Sequence, residues 1–499
     1  LVRFEYGENG DLITVLDALD HPYRFKYQNH RLIQHMNRNG LSFYYEYDEY
    51  NSNGRCHHTW GDGGLYNYHF KYHDLEGRTE VTNSLGHTST TYYNNRCQIV
   101  KDIDPLGGIT EYAYDEAGRT TMVTNPAGNC SEYKYDARGN LLRLVRPDGK
   151  AIGYEFNTLN KEIRRIDPNG ASWEQEWNGR GLLTSQKSPL DALSQYGYDE
   201  HGQLVYCVNP IGAMTKFRFD AHGNLIQVTD PRGFVSTLRY DIFGNVIKKN
   251  DPLGHATYYQ YDAKSRLVQV VFPSGAKKSF SYDPEGNLTM LNDKNGKAIR
   301  LDYCGLGEIK RKIQPDGHLV EYHYDSEERL ISITNQRGEV YAFERDLLGQ
   351  IVKETDFWNH VKRYKYNLAG HIEKIADPLG KEVTYETDSL GRIVKKTFQD
   401  PIDSDTVREE LFTYDDNSNL IGVENDATKI ARYFDADNRL VKEIQGDHTV
   451  LYTYDANSNL KLRVTSYGNR VAFQYDAADN AVAVTINNNN TIAIERNVT

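Results

Sequence analysis

The 499-residue sequence lacks any apolar run long enough to cross a bilayer. Its most apolar stretches, such as Leu267–Phe272 and Ala481–Ile486, are far shorter than the roughly 20 residues that a membrane-spanning helix requires. The first residues, LVRFEYGENGD, contain no apolar core of a secretory signal. We therefore expect no membrane span and no Sec-dependent export. Because the sequence begins with Leu rather than Met, we also expect it to be a segment of a longer protein.

Cysteine and basic charge are also scarce. Five cysteines form no CxxC pair, so the sequence predicts neither a disulfide framework nor a structural zinc site. The 58 basic and 70 acidic residues give a net charge of −12 without a basic stripe, which argues against nucleic acid as a partner. No GxSxG, HExxH or Walker motif occurs. We predict no catalytic residue, no cofactor and no metal ligand.

Tyrosine and glycine, with 38 and 40 residues, are abundant, and they recur with a fixed period. Tyr-Asp-like dipeptides are spaced 21 residues apart from residue 93 to residue 387, and less regularly over residues 1–92 and 388–499. Length alone would suggest about three domains. The repeat instead predicts one continuous array of about 23 units over residues 1–499. The anchor positions of the strict part are Tyr93, Tyr114, Tyr135, Phe156, Trp177, Tyr198, Phe219, Tyr240, Tyr261, Tyr282, Tyr303, Tyr324, Arg345, Tyr366 and Thr387.

Each unit contains two turns. The first follows the anchor, where Asp can bond the backbone and Gly can adopt a positive φ. Its best examples are Tyr114-Asp115 with Gly118, Tyr135-Asp136 with Gly139, Phe219-Asp220 with Gly223, Tyr240-Asp241 with Gly244, Tyr261-Asp262, and Tyr282-Asp283 with Gly286. The second turn has Pro and Gly at β-turn positions, as in Asp104-Pro105 with Gly107, Asp230-Pro231 with Gly233, Asp251-Pro252 with Gly254, and Asp377-Pro378 with Gly380. We predict a structural role for all of these residues.

Short segments with period two, such as Thr110–Tyr114 and Leu225–Thr229, lie between the turns and predict strands. Helical spacing is absent. The predicted fold is all-β, with tandem β-hairpins that form one long antiparallel sheet. About 46 strands at about 4.8 Å spacing would extend about 220 Å, and a twisted sheet of that length must coil.

The aromatic residues fall on one face of the predicted sheet, because side chains alternate along a strand. Tyr112, Tyr133, Tyr196 and Tyr259 each lie two residues before an anchor. We expect these rings to stack as ladders across successive hairpins. An alternative interpretation is a platform for carbohydrate.

Two insertions interrupt the spacing, around residues 51–64 and 399–405, and both predict longer surface loops. His57, His58, His69 and His73 accompany the first. Adjacent histidines point to opposite faces of a strand, so we predict no metal site there. Asp400, Asp403 and Asp405 in the second lack the Gly and distal Glu of a calcium loop, which favours a solvated loop.

The repeat YDxxGNLxxxxDPxGxxTxYxY closely resembles the Rhs or YD-repeat family, which includes bacterial Rhs polymorphic toxins, the B and C components of insecticidal Tc toxins, and animal teneurins. The resemblance covers essentially the whole chain. It implies one sheet that spirals into a hollow shell. In the bacterial members it further implies an enclosed C-terminal toxin, delivery often by type VI secretion, and an aspartyl autoprotease. The diagnostic DPxGL sequence of that autoprotease does not occur in this sequence. The similar DPLG turns at 104, 251 and 377 belong to ordinary internal repeats.

The resulting expectation is a non-enzymatic shell segment of a bacterial Rhs toxin. Its partners would be the toxin domain as cargo and, through a region outside this sequence, the secretion apparatus. We expect no delivery, autoprotease or toxin domain within residues 1–499. The protein would be cytoplasmic before export and then delivered without a Sec signal. Two alternatives remain: a surface-displayed protein that binds carbohydrate or a receptor, and a cage subunit of a Tc-type toxin.

Overall fold

The computed structural model describes residues 2–400 and 406–495. They form 47 β-strands and two single-turn 3-10 helices, Asp62–Gly64 and Asp74–Glu76. The prediction of an all-β hairpin array is confirmed. In the described part of the chain, no helix has the length and apolarity needed to cross a membrane.

The strands of the irregular N-terminal part are β1 (Arg3–Tyr6), β2 (Leu12–Leu16), β3 (Pro22–Gln28), β4 (Arg31–Met36), β5 (Ser42–Tyr47), β6 (Cys56–Gly61), β7 (Tyr68–His73), β8 (Arg78–Thr82) and β9 (Thr88–Tyr93). The next fourteen are β10 (Ile99–Ile103), β11 (Ile109–Tyr114), β12 (Thr120–Thr124), β13 (Cys130–Tyr135), β14 (Leu141–Val145), β15 (Ala151–Phe156), β16 (Glu162–Ile166), β17 (Ser172–Trp177), β18 (Leu183–Lys187), β19 (Leu193–Tyr198), β20 (Leu204–Val208), β21 (Met214–Phe219), β22 (Leu225–Thr229) and β23 (Val235–Tyr240).

The strict part of the repeat continues with β24 (Val246–Asn250), β25 (Ala256–Tyr261), β26 (Leu267–Val271), β27 (Lys277–Tyr282), β28 (Leu288–Asn292), β29 (Ala298–Cys304), β30 (Glu308–Ile313), β31 (Leu319–Tyr324), β32 (Leu330–Thr334), β33 (Val340–Arg345), β34 (Ile351–Thr355), β35 (Val361–Tyr366), β36 (Ile372–Ala376) and β37 (Glu382–Thr387). The last strands are β38 (Ile393–Gln399), β39 (Val407–Tyr414), β40 (Leu420–Glu424), β41 (Lys429–Phe434), β42 (Leu440–Gln445), β43 (His448–Tyr454), β44 (Leu460–Thr465), β45 (Arg470–Tyr475), β46 (Ala481–Ile486) and β47 (Asn490–Ala493).

Every strand pairs antiparallel with its neighbours in sequence, from β1 with β2 to β46 with β47. Among the described residues no ladder joins β1 to β47, so the ribbon of hairpins is an open sheet. Its two long sides consist of turns. We call the side with the turns after the odd-numbered strands the YD edge, and the side with the turns after the even-numbered strands the DP edge.

A bulge at the anchor bends the sheet at regular intervals. In the β25–β26 pair, Gln260 faces Gln269 but Tyr261 faces Leu267, so Val268 is an extra residue on the second strand. The same shift precedes Tyr135 in β13–β14. A bulge increases the local twist and bends the strand that contains it. Because it recurs at the same edge in every second strand pair except β7–β8, the bends add up and the ribbon curves.

The sheet is a single layer without a conventional core. Among the described residues only Val270 and Ala483 are apolar and buried, with 7% and 8% of their surface exposed. The accessible surface is 29103 Å². A compact monomer of 57.3 kDa would expose about 18,700 Å². The excess shows that both faces of the sheet remain open to solvent.

The two faces differ in chemistry. In β21, Lys216 and Arg218 are exposed, whereas Thr215, Phe217 and Phe219 are half-buried. We call the side with the anchors the Tyr face and the other side the charged face. The predicted alternation therefore continues through the ribbon, with aromatic and aliphatic side chains on one side and charged pairs on the other.

The first insertion differs from the surface loop that we predicted. Residues 51–54 form a turn, but Cys56–Gly61 is strand β6, which pairs with both β5 and β7. The added residues therefore lengthen the wall, because their backbone groups find partners in the sheet. Around the second insertion, β38 ends at Gln399 and β39 begins at Val407. The predicted loop residues 401–405 lie outside the described residues.

Candidate functional site

The turn after the anchor is closed by its aspartate. Asp136 Oδ1 accepts hydrogen bonds from the backbone N–H groups of Arg138 at 2.8 Å and Asn140 at 2.9 Å. The N–H of Gly139 donates to the Asp136 carbonyl at 3.1 Å, and Gly139 has a φ of 93°. This is a type I turn followed by a left-handed residue, a common three-residue hairpin connection. Hydrogen bonds from the Asn140 side chain and from the turn backbone lower the pKa of Asp136 to about 2.

The Asp-Pro turns on the opposite edge have the same geometry. Asp104 Oδ1 accepts from the N–H groups of Leu106 and Gly108, both at 2.8 Å, and Gly107 has a φ of 84°. Pro105 supplies a fixed φ at the second turn position and needs no donor there. Both edges therefore use the same carboxylate-closed turn, with proline added on the DP edge.

All predicted turn residues occupy these positions in the structure. The aspartates at 115, 220, 241, 262, 283, 230, 251 and 377 each accept backbone N–H groups within their own turn. The glycines with positive φ are Gly107, Gly118, Gly139, Gly223, Gly233, Gly244, Gly254, Gly286 and Gly380. Pro231, Pro252 and Pro378 lie at the second position of their turns.

The anchor hydroxyl joins successive hairpins. Tyr261 Oη donates to the carbonyl oxygen of Val246 at 3.0 Å. Val246 lies beyond Lys248–Asn250, the stretch of β24 that pairs with β25, so the ladder offers this carbonyl no partner. The same bond, 15 residues back, runs from Tyr114, Tyr240, Tyr282, Tyr303, Tyr324, Tyr366 and Tyr475 at 2.6 to 3.0 Å. It explains why the anchor is tyrosine more often than phenylalanine.

Two anchors that are not tyrosine make the equivalent bond with nitrogen. Trp177 Nε1 donates to the Glu162 carbonyl at 2.7 Å, and Arg345 Nη2 donates to the Leu330 carbonyl at 3.0 Å. In the sequence, only the 21-residue spacing predicted that these two residues are anchors. A nitrogen donor at the end of a long side chain can therefore replace the tyrosine hydroxyl.

The predicted ring ladder is wrong for the strict part of the repeat. Successive anchors lie two strands apart, or about 9.6 Å, which is too far for ring contact. In the described residues from 93 to 387, the ring contacts are those of Tyr341 with Phe343 and with Phe357. Cations bridge some of the gaps instead. The Arg119 guanidinium lies 5.0 Å from the Tyr135 ring centre, and that of Arg266 lies 4.8 Å from the Tyr282 ring centre.

The ribbon returns onto itself after about half of the chain. Contacts between residues 243 to 270 positions apart join the DP edge of the first half to the YD edge of the second half. We call the two halves coil 1 and coil 2, and the line of contact between them the seam. One coil contains about 24 strands, which gives a contour of about 115 Å and, for a round coil, a diameter of about 37 Å.

At one end of the seam, a buried carboxylate collects cations from both coils. Asp17 Oδ2 lies 2.7 Å from Lys264 Nζ of coil 2 and 3.4 Å from Arg38 Nε of coil 1. Arg38 also forms an ion pair with Glu285 across the seam at 3.5 Å. Burial alone would raise the pKa of Asp17, but Lys264 and the backbone N–H groups of His21 and Leu19 hold it well below its usual value.

The first insertion crosses the seam. The Tyr66 N–H donates to the Ser326 carbonyl of coil 2 at 2.9 Å. The Tyr66 hydroxyl donates to Glu328 at 3.0 Å, and the Tyr68 hydroxyl donates to Glu327 at 2.6 Å. Burial and the Glu328 carboxylate raise the pKa of Tyr66 to about 12. We call residues 62–68 the latch.

Polar contacts continue along the seam. Lys150 Nζ lies 3.0 Å from the Asp416 carboxylate. Further along, Asp437 accepts from the Ser188 hydroxyl at 3.0 Å. Arg232 and Asp476 form an ion pair at 3.2 Å near the other end. In each case a turn tip of one coil meets a turn of the other.

The histidines of the first insertion form a stack on the charged face. The ring centres of His58 and His69 lie 4.1 Å apart. His58 Nδ1 lies 3.0 Å from the Glu46 carboxylate. Burial, followed by the nearby His58, lowers the pKa of His69. Two parallel rings do not direct nitrogens at one point. Among the described residues no group of three or more His, Cys, Asp and Glu could hold a metal ion.

The single-layer ribbon and its two turn types agree with comparisons to known proteins. A family model described as Teneurin YD-shell matches residues 49–215, 176–290 and 275–400. The chain belongs to the YD-shell family. Two relatives match shorter stretches. A protein named Toxin protein Tse5 from Pseudomonas aeruginosa is 39% identical over 87 residues. Another, named Probable deoxyribonuclease RhsB, from Dickeya dadantii, is 31% identical over 121 residues.

Two solved structures share the fold. A crystal structure of TcdB2-TccC3-TEV matches 96% of this chain with a TM-score of 0.73 at 13% identity. TcdB2-TccC3 matches 96% with a TM-score of 0.61 at 14% identity. The chain spans 35% and 33% of these two chains. The match to Tse5 covers 17% of this chain and 6% of Tse5. The match to RhsB covers 24% of this chain and 8% of RhsB.

Proposed function

We propose that this YD shell forms part of the wall of a hollow container that encloses a toxic domain of the same polypeptide until delivery. The observation that supports this most directly is the single-layer sheet, with 29103 Å² of accessible surface and almost no apolar core. A globular enzyme or binding module of this length would bury a core. A curved wall has no such need, because its second face borders a cavity.

The dimensions of one coil bear on the state of the cargo. A coil about 37 Å across loses about 5 Å on each side to side chains, which leaves about 27 Å. A folded domain of 100 residues is about 34 Å across. A cargo held inside a coil of this width would therefore be incompletely folded. Confinement of this kind would protect the producing cell without any chemistry by the wall.

The rest of the proposed role goes beyond the likeness to Toxin protein Tse5 and RhsB, which supports it only in part. We propose a wall without catalytic activity, delivery to a competing bacterium by type VI secretion, and a cytoplasmic stage before export. The secretion apparatus would engage a region of the parent protein other than this wall. A cage subunit of a Tc-type complex has the same architecture, and the TcdB2-TccC3 match supports the shared fold rather than that assembly.

Surface display for carbohydrate or receptor binding has weaker support. The anchor hydroxyls that would contact a sugar already donate to backbone carbonyls, as for Tyr240 and Tyr282. A glycan platform needs free hydroxyls and open ring faces. Loss of glycan-array binding on changing Tyr196 or Tyr259 would favour this alternative.

Protease protection in the parent protein tests confinement. The parent is treated with a nonspecific protease, and the cargo region is followed by mass spectrometry. We expect the cargo to persist in buffer and to be digested once denaturant opens the wall. Digestion of the cargo at the rate of the isolated domain, with the wall intact, would refute the proposal.

A further inference from the structure

We propose that the seam is a separable joint, at which coil 2 lifts from coil 1 while every hairpin stays folded. The strength of bonding differs sharply in the two directions of the wall. Along the sheet, a pair such as β25–β26 is aligned at four residue pairs of one ladder. Across the seam, in the part of the chain that the structure describes, the Tyr66–Ser326 bond is the one backbone–backbone hydrogen bond between coils.

Among the described residues, the seam is held by polar contacts that include four ion pairs. Three of them pair Arg38, Lys150 and Arg232 of coil 1 with Glu285, Asp416 and Asp476 of coil 2. Arg146 donates to the Asp416 backbone carbonyl, and Asp437 accepts from the Ser188 hydroxyl. In the Lys264–Asp17 pair, coil 2 supplies the cation and coil 1 supplies the carboxylate. Repeated turns explain the pattern, because most turns on the YD edge of coil 2 carry a closing aspartate and several add a second acid at the tip.

The ion pairs differ in how far salt can screen them. The side chains of Lys150 and Asp416 are 47% and 44% exposed, whereas those of Arg38 and Glu285 are 21% and 22% exposed. Exposed ion pairs contribute little individually and weaken as salt shortens the Debye length to about 3 Å at 1 M. The buried groups at the seam include polar ones, Asp17 and Ser188, rather than a hydrophobic layer. Water can therefore replace the seam contacts when the coils part.

Parting along the seam would open the wall without breaking strands. The hairpins of each coil keep their ladders, anchor hydroxyl bonds and closed turns. As a route for cargo to leave the shell, this inference rests on the proposed function. The separability of the seam does not, and it can be tested on the chain alone.

Hydrogen–deuterium exchange with mass spectrometry distinguishes contacts across the seam from hydrogen bonds within the sheet. The amides of Tyr66 and Ser84 donate across the seam, to the Ser326 carbonyl and to Glu327. We expect a rise from low salt to 1 M NaCl to accelerate their exchange about tenfold or more, while Tyr259 and Val270 in the paired strands keep their protection. Unchanged exchange at both sites, or equal acceleration at both, would overturn the proposal.

A charge exchange provides the matched variants. Asp416 occupies a turn tip and does not close its own turn, which Asp415 does. We expect Asp416→Lys to accelerate exchange around residues 146–150 at low salt, and the addition of Lys150→Glu to restore protection. Glu116 holds the same turn position on the free YD edge of coil 1. Glu116→Lys should leave seam exchange unchanged. Failure of the paired exchange to restore protection would also count against the joint, whatever the fate of the cargo.

Discussion

Tyr261 donates its hydroxyl to the carbonyl oxygen of Val246, 15 residues earlier, at 3.0 Å. This bond spans the point where the ladder between two hairpins has ended. It adds a link between the two hairpins at the YD edge, beyond the ladder that already joins β24 to β25. Because the carbonyl would otherwise lack a partner in the ladder, the hydroxyl satisfies a backbone group as well as adding a contact.

Removal of one anchor hydroxyl should weaken the wall by a small, defined amount. We expect Tyr261→Phe to lower the free energy of unfolding by about 1 kcal/mol, the usual net contribution of one hydrogen bond. Urea denaturation followed by circular dichroism measures the change. An unchanged midpoint would show that water satisfies the Val246 carbonyl equally well.

The natural phenylalanine anchors offer the reverse experiment. Phe219 occupies the anchor position of β21 without a donor. We expect Phe219→Tyr to raise the free energy of unfolding by about 0.5 to 1 kcal/mol through the missing hydrogen bond. A destabilised variant would mean that the site around Phe219 cannot admit the hydroxyl.

Turn positions occupied by residues other than glycine carry backbone strain. Cys97 ends its turn with a φ of 58°, where most equivalent turns have glycine. We expect Cys97→Gly to stabilise the protein by about 1 kcal/mol, since a left-handed conformation costs a side chain about that amount. Gly118→Ala, one repeat later at a φ of 84°, should destabilise it by a similar amount. Thermal unfolding of the two variants should shift in opposite directions, and shifts of the same sign would contradict the turn assignment.

The closing aspartates predict sensitivity to acid. Hydrogen bonds from Asn140, Asn224 and Asn245 lower the pKa values of Asp136, Asp220 and Asp241. Because the folded pKa lies below the unfolded one, their contribution is complete above pH of about 4 and is lost as pH falls toward 2. Circular dichroism against pH should show unfolding in that interval. Stability that stays constant down to pH 2 would contradict the role of these carboxylates.

The latch predicts a transition in alkali. The Tyr66 pKa of about 12 is raised above its usual value by burial and by Glu328, so the hydroxyl contributes fully below pH 10 and is lost as pH rises through 12. The tyrosinate absorbance of the protein, minus that of Tyr66→Phe, should titrate near pH 12. A midpoint near 10 would mean that Tyr66 does not bond to Glu328.

The period and turn chemistry made the hairpins predictable, because Asp, Pro and Gly act within four residues of one another. The Tyr-Asp-Ala-Arg-Gly turn at 135–139 closes through its own aspartate, as such a local pattern requires. The ring ladder was wrong because the two predicted strands per unit place successive anchors about 9.6 Å apart, which is beyond ring contact although the rings share a face. The Trp177 and Arg345 bonds could have been anticipated only by asking which side chains can reach a carbonyl as tyrosine does.

The seam could not be predicted from the sequence, for a different reason. Arg38 meets Glu285 because the bends of about 24 strands add up to one full coil, and a small change in each bend would move the contact by a whole repeat. The first insertion was likewise predicted as a loop, whereas its residues form strand β6 and the start of the latch. No local pattern distinguishes Tyr66 as a residue that crosses between coils.

Electron cryomicroscopy of the longer parent protein tests the central claim most directly. We predict a single-layer wall that includes residues 2–400 and 406–495 and surrounds a cavity containing weak, incompletely ordered density from the cargo. A solid particle, or a cargo domain folded outside the wall, would contradict the account.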